Sequence, residues 1–457
     1  MEILMIVVFV LGYLMIALEH KIHIDKAPTA LITGMICWAL YSFYLAGLGK
    51  DHFTIHKILE FGNNWDSIKS TDDVGGLAMH IFEIGGILFF LMGAMTIVET
   101  VDEHQGFTLI TNKITTKNKA KLLWIIAILS FFFSALLDNL TTSIVMISLL
   151  RKLVGDKQTR WLFAGMVVIA ANAGGAWSVI GDVTTTMLWM KGQLPDSVLI
   201  AIPSLIIPSF VALLIPLLIL TFTMKGEVQR PDLNIKNGGG FETIKREKII
   251  MLIIGVLGLL FVPIFKTITG LPPFTGMMLS LGILWATTEL MHKKKEANHK
   301  KHLSVISVLR KIDTSSVLFF LGILLAVAAL QEIGHLTTMA DWLKTTLNNN
   351  YAINISIGFL SSIVDNVPLV AAAQGMYEIA PAGSTGELAD FVANGTFWEF
   401  LAFCAGTGGS CLIIGSAAGV AVMGLEKIDF IWYLKKISLL AIVGYVAGAA
   451  TYILLVA

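Results

Sequence analysis

Along the chain, apolar stretches long enough to cross a bilayer alternate with short segments that carry most of the charge. Residues 27–48, 198–222, 249–265, 273–291 and 434–457 each read as a spanning helix of roughly 20 residues. Residues 3–18 read as the first span and not as a signal peptide, because no basic stretch precedes them and no small-residue cleavage site follows. One stretch breaks the pattern. Residues 122–150 are too long for one comfortable crossing and too short for two, and their middle carries Asp-Asn-Leu-Thr-Thr-Ser, residues 138–143. An ionised carboxylate at membrane depth costs about 2.5–3.5 kcal/mol, so its presence calls for a use.

Composition agrees with the pattern. Of 457 residues, 56% are apolar and 14% charged, which marks an integral membrane protein without a soluble domain between its spans. Cys37, Cys404 and Cys411 lie in apolar runs without metal-site spacing and read as packing residues.

The placement of charge then sets the topology. Most of the 32 Lys and Arg fall in 19–26, 102–121, 151–160, 225–248, 292–315 and 425–436, and few in 49–82, 191–197, 266–272, 334–350 and 378–396. The positive-inside rule assigns the first group to the cytoplasm. Both flanks of residues 122–150 are therefore cytoplasmic, and the segment reads as a re-entrant helical hairpin whose tip faces a cavity, the alternative being one long kinked helix.

A second copy follows in "GFLSSIVDNVPLVAAAQGMY", residues 358–377, with Asp365-Asn366 opposite Asp138-Asn139 and flanks from the poorly basic group. Pro368 supplies a helix break there. Residues 87–107 resemble residues 317–336. "NAGGAWSVIGDVTT", residues 172–185, matches "GTGGSCLIIGSAAG", residues 406–419, aligning Gly174, Gly175 and Gly181 with Gly408, Gly409 and Gly415. The expected fold is an all-α integral membrane protein, an inverted-topology repeat of two five-span units, each with a re-entrant helical hairpin and a broken helix. The first repeat is residues 1–224 (hairpin 122–150, broken helix 161–190). A cytoplasmic linker, 225–248, contains Pro231 and Gly238 to Gly240, and the second repeat is 249–457 (hairpin 352–377, broken helix 398–424).

The chemistry follows from what the expected spans contain. They hold Glu83, Glu99, Asp138, Asp182, Glu289, Glu332 and Asp365, with Glu399 near an edge, but no Lys or Arg. A buried carboxylate without a basic partner either stays protonated or holds a cation. Competition between the two gives proton-for-cation exchange. Sodium favours hard oxygen donors, so the candidate ion-binding set is Asp138, Asn139, Thr141, Thr142, Asp365, Asn366, Asp182, Thr184, Thr185 and Asn172, with Na+ at Asp138, Asp365 and Asp182. The helix-break glycines Gly174, Gly175, Gly181, Gly408, Gly409 and Gly415 expose backbone groups to a ligand; singly they read equally as close-packing positions. Asp182 has only Ser416 as its counterpart, and either could instead cap the following half-helix. The peripheral Glu83, Glu99, Glu289 and Glu332 read mainly as structural or exposed groups, and His80 as a surface histidine able to titrate near neutral pH. No nucleophile elbow, zinc-ligand set or phosphate loop is present, so neither an enzyme nor a resident cofactor nor nucleic-acid binding is expected.

"LLDNLTTSIVM", "NAGGAWSVIGDVTTTMLW" and "SSIVDNVPLVAAAQGMY" resemble the signatures of the NhaD-type sodium/proton antiporters, within the ion transporter superfamily. The resemblance spans nearly the whole chain. It implies extrusion of Na+ and Li+ in exchange for H+, by an elevator-like motion against a dimeric scaffold, hence a homodimer among membrane lipids in a bacterial-type cytoplasmic (inner) membrane. Related sodium-coupled carboxylate carriers carry Ser-Asn-Thr at the hairpin tips; an Asp at each tip would repel a dicarboxylate. Arsenite extrusion and a sodium sensor that does not transport are the other readings of the same layout.

Overall fold

The computed structural model describes residues 2–17, 22, 24–47, 75–111, 114–195, 201–230, 244–293 and 303–456. In chain order its main helices are α1 (Glu2–Ala17), α2 (Lys26–Gly47), α3 (Gly75–Glu103), α4 (Lys119–Leu137), α5 (Asn139–Leu153), α6 (Lys157–Ala176), α7 (Val183–Met190), α8 (Pro203–Thr223), α9 (Lys245–Thr269) and α10 (Pro273–His292). They continue as α11 (Thr314–Glu332), α12 (His335–Leu347), α13 (Asn350–Leu360), α14 (Asn366–Met376), α15 (Thr396–Gly408), α16 (Ala417–Glu426) and α17 (Phe430–Val456). Among the described residues there is no β-strand, and 8 helices are long and apolar enough to cross a membrane. The protein is a multi-pass, all-helical membrane protein.

Helix limits depart from the apolar runs for local reasons. α9 extends to both sides of residues 249–265 because its terminal Lys245, Arg246 and Lys266 can lie along the helix while their charges reach the interface. α8 starts at Pro203, not at residue 198, since proline favours the first helical turn, where its missing N–H is no loss. Asn118 and Asp156 cap α4 and α6 by accepting from Lys121 N (3.0 Å) and Thr159 N (2.8 Å). Of the expected linker, 231–243 lies outside the described residues, as does most of the loop 49–82. Residues 226 and 228 exchange backbone hydrogen bonds with 119 and 117.

Two compact units emerge. The first comprises residues 1–89, 313–348 and 371–378. There α2 packs on α1 and α11, so closely that a methyl group at Gly34 would lie 2.4 Å from the Gly322 carbonyl oxygen. Trp38 Nε1 donates to the Leu325 carbonyl at 2.8 Å, and His80 Nε2 pairs with Glu332 at 3.0 Å, both half-buried. His80 and Glu332 are thus partners inside one unit.

The second unit comprises residues 90–312, 349–370 and 379–457. In it α4 and α5 pack on α6, α13 on α15, α8 on α17, and α16 on α5 and α6. The buried Glu426 carboxylate at the end of α16 accepts from Arg151 Nε and Arg160 Nε, each at 2.7 Å, which ties α16 to α5 and α6. All three cysteines are buried and free.

Candidate functional site

Four helix breaks build the polar centre of the second unit. The run from Lys119 to Leu153 is interrupted at Asp138, which adopts φ 75° and ψ 162°, a backbone region that residues other than glycine enter only under strain. The local gain is a cap: Asp138 Oδ1 accepts from Thr141 N at 2.8 Å and Oδ2 from the Thr141 hydroxyl at 2.9 Å. The helix from Lys157 ends at Ala176 and resumes at Val183, with Asp182 as the cap of α7. Downstream, α13 ends at Leu360 and α14 begins at Asn366, while α15 ends at Gly408 and α16 begins after Ser416.

The two sets of breaks share a scaffold of contacts at matching positions. A methyl group on Gly174 would lie 2.1 Å from the carbonyl oxygen of Phe131, and one on Gly408 would lie 2.1 Å from that of Gly358. Phe131 and Gly358 each stand seven residues before their Asp-Asn pair. Ser134 donates to the Ala171 carbonyl at 2.5 Å, and Ser361 to the Ala405 carbonyl at 2.8 Å. Gly175 abuts the carbonyl of Gly181, and Gly409 that of Gly415. Only glycine permits such approaches of backbone to backbone.

At the centre is Asp182, buried at 2% exposure. Its Oδ1 accepts from Thr184 N at 3.2 Å, so it does cap α7. Its Oδ2 accepts from Asn139 Nδ2 at 3.0 Å and from Asn366 Nδ2 at 3.1 Å. Asn139 also donates to Asn172 Oδ1 at 3.1 Å, and Asn172 Nδ2 donates in turn to Ser410 Oγ at 3.0 Å and Ser416 Oγ at 2.9 Å. Every one of these side chains is buried. Capping and membership in the cluster, which the sequence left as competing roles for Asp182, are filled by its two oxygens separately.

The remaining candidates divide. Thr184 Oγ1, Thr142 Oγ1 and Ser143 Oγ are buried hydroxyls without a hydrogen-bond partner among the described residues, oxygen atoms open to a ligand. The Thr185 and Thr186 hydroxyls donate to the Asp182 carbonyl at 2.9 Å each, bonds that stiffen the start of α7. Asp138 and Asp365 are half-buried beside the cluster's amides in sequence, and Asp365 Oδ1 accepts from Val367 N at 3.2 Å. Ser410 was not a candidate from sequence. Its signal was an asymmetry within the matched strings, since Ser410 stands where the first string has Ala176. Glu399, at the edge, accepts from Ser204 Oγ at 2.7 Å and from the Tyr452 hydroxyl at 3.2 Å, apart from this network. Among the described residues, no group of three His, Cys, Asp or Glu gathers as a transition-metal site would. The donors are carboxylate, amide and hydroxyl, a hard oxygen set suited to an alkali cation.

A polar centre made from helix breaks within a multi-pass helical fold defines the class, a secondary transporter. Residues 13–395 match a family model described as a citrate transporter, CitMHS. Sodium/proton antiporter 1 of Arabidopsis thaliana is 42% identical over 99% of this chain and 72% of its own length. Sodium/proton antiporter 2 of the same plant is 39% identical over 98% of each chain. The Na+/H+ antiporter NhaD of Alkalimonas amylolytica is 30% identical over 98% of this chain and 89% of its own. The chain belongs to the NhaD-type sodium/proton antiporter family.

Proposed function

We propose that the protein exchanges cytoplasmic Na+, and Li+, for external H+ by alternating access, with cation and proton competing for the same intramembrane carboxylates. One observation carries this reading: the asparagines of both Asp-Asn pairs, Asn139 and Asn366, converge on one buried oxygen of Asp182. With their nitrogens turned to Asp182, the amides stabilise an ionised carboxylate. A half-turn of each amide presents oxygen instead, so the same three side chains can ligate a cation held by Asp182, with Thr184 Oγ1 as a further donor. Asp138 and Asp365, next in sequence to the two asparagines, would carry the second charge needed to load or expel the ion. Protonation of these carboxylates removes the attraction for Na+, and binding of Na+ displaces the proton.

The description of the matching family model as a citrate transporter raises a carboxylate cargo as the second reading. The cluster weighs against it, because Asp182, Asn139, Asn172, Asn366, Ser410 and Ser416 include no cation to neutralise a polycarboxylate. The matched contacts of Gly174 and Gly408, and of Ser134 and Ser361, support an inverted repeat of two halves, 1–224 and 249–457, with re-entrant hairpins at 122–150 and 352–377. Pairing of Arg151 and Arg160 with Glu426 supports placing 151–160 and 425–436 on one membrane face. The Asn394 N bond to the Gln193 carbonyl, 3.1 Å, does the same for 191–197 and 378–396. A homodimeric scaffold, an elevator-like motion and residence in a bacterial-type cytoplasmic membrane complete the proposal.

The test is dissipation of a pH gradient in everted vesicles from an antiporter-deficient bacterial strain, on adding NaCl, LiCl or KCl. Wild type is run beside Asp182→Asn, Asp138→Asn and Asp365→Asn at matched membrane levels. A sodium-evoked response lost in the variants supports shared-carboxylate exchange. No wild-type response across a broad pH range, with citrate uptake in its place, would overturn it.

A further inference from the structure

A cavity of about 380 Å³ lies beside the break at Asp138, against the last residues of α4, and its lining is almost wholly apolar. It is lined by Phe107, by Phe133, Leu136 and Leu137 of α4, and by Leu252 and Val256 of α9. Two more lining residues, Ile253 and Leu257, are 51% and 58% exposed. They sit on a helix long and apolar enough to span the membrane, so the cavity opens toward acyl chains and not toward water. Its volume is that of an ordinary ligand pocket.

What stands above the cavity decides the occupant. α9 begins with Lys245 and Arg246, both exposed, and Lys248. Arg246, Ile249, Ile253 and Leu257 follow one another at helical spacing of three or four residues, so the basic turn and the open side of the cavity share one stripe. At 1.5 Å per residue, Arg246 lies about 10 Å along the axis from Ile253. The basic start of α9 lies close to the cavity, because Lys248 Nζ donates to Gln105 Oε1 at 2.7 Å, two residues before the cavity-lining Phe107. A basic cluster at a membrane interface attracts anionic headgroups.

We propose that this crevice is a binding site for one anionic phospholipid, its headgroup on Lys245 and Arg246 and an acyl chain in the cavity against Leu136 and Leu137. Occupancy braces the two residues that lead into the strained Asp138, which links the lipid to the geometry of the break.

The test is native mass spectrometry of the full-length protein in detergent, with phosphatidylglycerol or phosphatidylcholine of identical chains. Wild type is expected to retain one phosphatidylglycerol in clear preference. The variant Lys245→Gln/Arg246→Gln, altered only at exposed positions, is expected to lose that preference by about fivefold for each charge removed. Val256→Trp, which fills the cavity, is expected to weaken retention of both lipids. Equal retention of the two lipids by wild type would overturn the proposal by showing an unselective crevice. A preference unchanged by the charge variant would also overturn it, by placing the lipid elsewhere.

Discussion

The break between α6 and α7 and the break between α15 and α16 rest on the same contacts yet end in different chemistry. In both, a glycine lies on a carbonyl seven residues before an Asp-Asn pair, and a serine bonds the facing helix. In both, the residue that opens the second half-helix caps it: Asp182 accepts from Thr184 N, and Ser416 from Gly419 N at 3.2 Å. Yet the first break supplies Asn172 and Asp182, while the matching positions of the second are Gly406 and Ser416. A methyl group at Gly406 would lie 3.6 Å from Asp182 Oδ2. The first break therefore supplies the charge and the second the space that the charge enters. Shared contacts are what a helix break requires in order to fold, and the differing residues are what the proposed off-centre ion site requires.

That comparison can be broken most sharply at its unequal positions. Asp182→Asn is expected to abolish sodium-evoked dissipation of the pH gradient, while Ser416→Ala, which removes a cap and one of the two hydroxyls that accept from Asn172 but no charge, keeps most of it; equal loss in both would mean that the halves contribute alike. Gly406→Asn places the first half's amide in the second half beside Asp182. The expected outcome is severe loss of exchange with protein still in the membrane, read in the same vesicles.

The equal positions are expected to respond equally, and in stability more than in transport. Gly174→Ala and Gly408→Ala each force a methyl group onto backbone, a strain of about 1–3 kcal/mol that thermal unfolding in detergent should register alike for both. Ser134→Ala and Ser361→Ala each remove one buried hydrogen bond worth about 1 kcal/mol. Their melting shifts should match within error, and a large difference between them would remove the structural equivalence of the two halves.

The breaks themselves were legible because polar residues in apolar runs are costly, and Asp-Asn and Gly-Gly sit where nothing else explains them. Membrane character was equally open to reading from hydropathy. The rank of the carboxylates was not. Asp138 and Asp365 look central in sequence because each lies at the middle of its run, but the amides of Asn139 and Asn366 converge on Asp182, a fact of packing between segments far apart in the chain. Gly406 and Ser410 escaped for the same reason: a glycine and a serine carry no signal until the atom facing them is known. Helix limits were missed where lysines extend a helix beyond its apolar core, as in α9, or where a proline delays its start, as in α8.

Arg151 and Arg160 meet Glu426 266 or more positions later, and Asn172 waits for Ser410 and Ser416, 238 and 244 positions on. During synthesis from the N-terminus, α5 and α6 thus enter the bilayer with Asn172 and two arginines lacking their final partners. Such a nascent half is poorly matched to lipid until α15 and α16 arrive. The last hundred residues act as the key that locks assembly, and chains truncated before α16 should be recognised as unfinished and degraded.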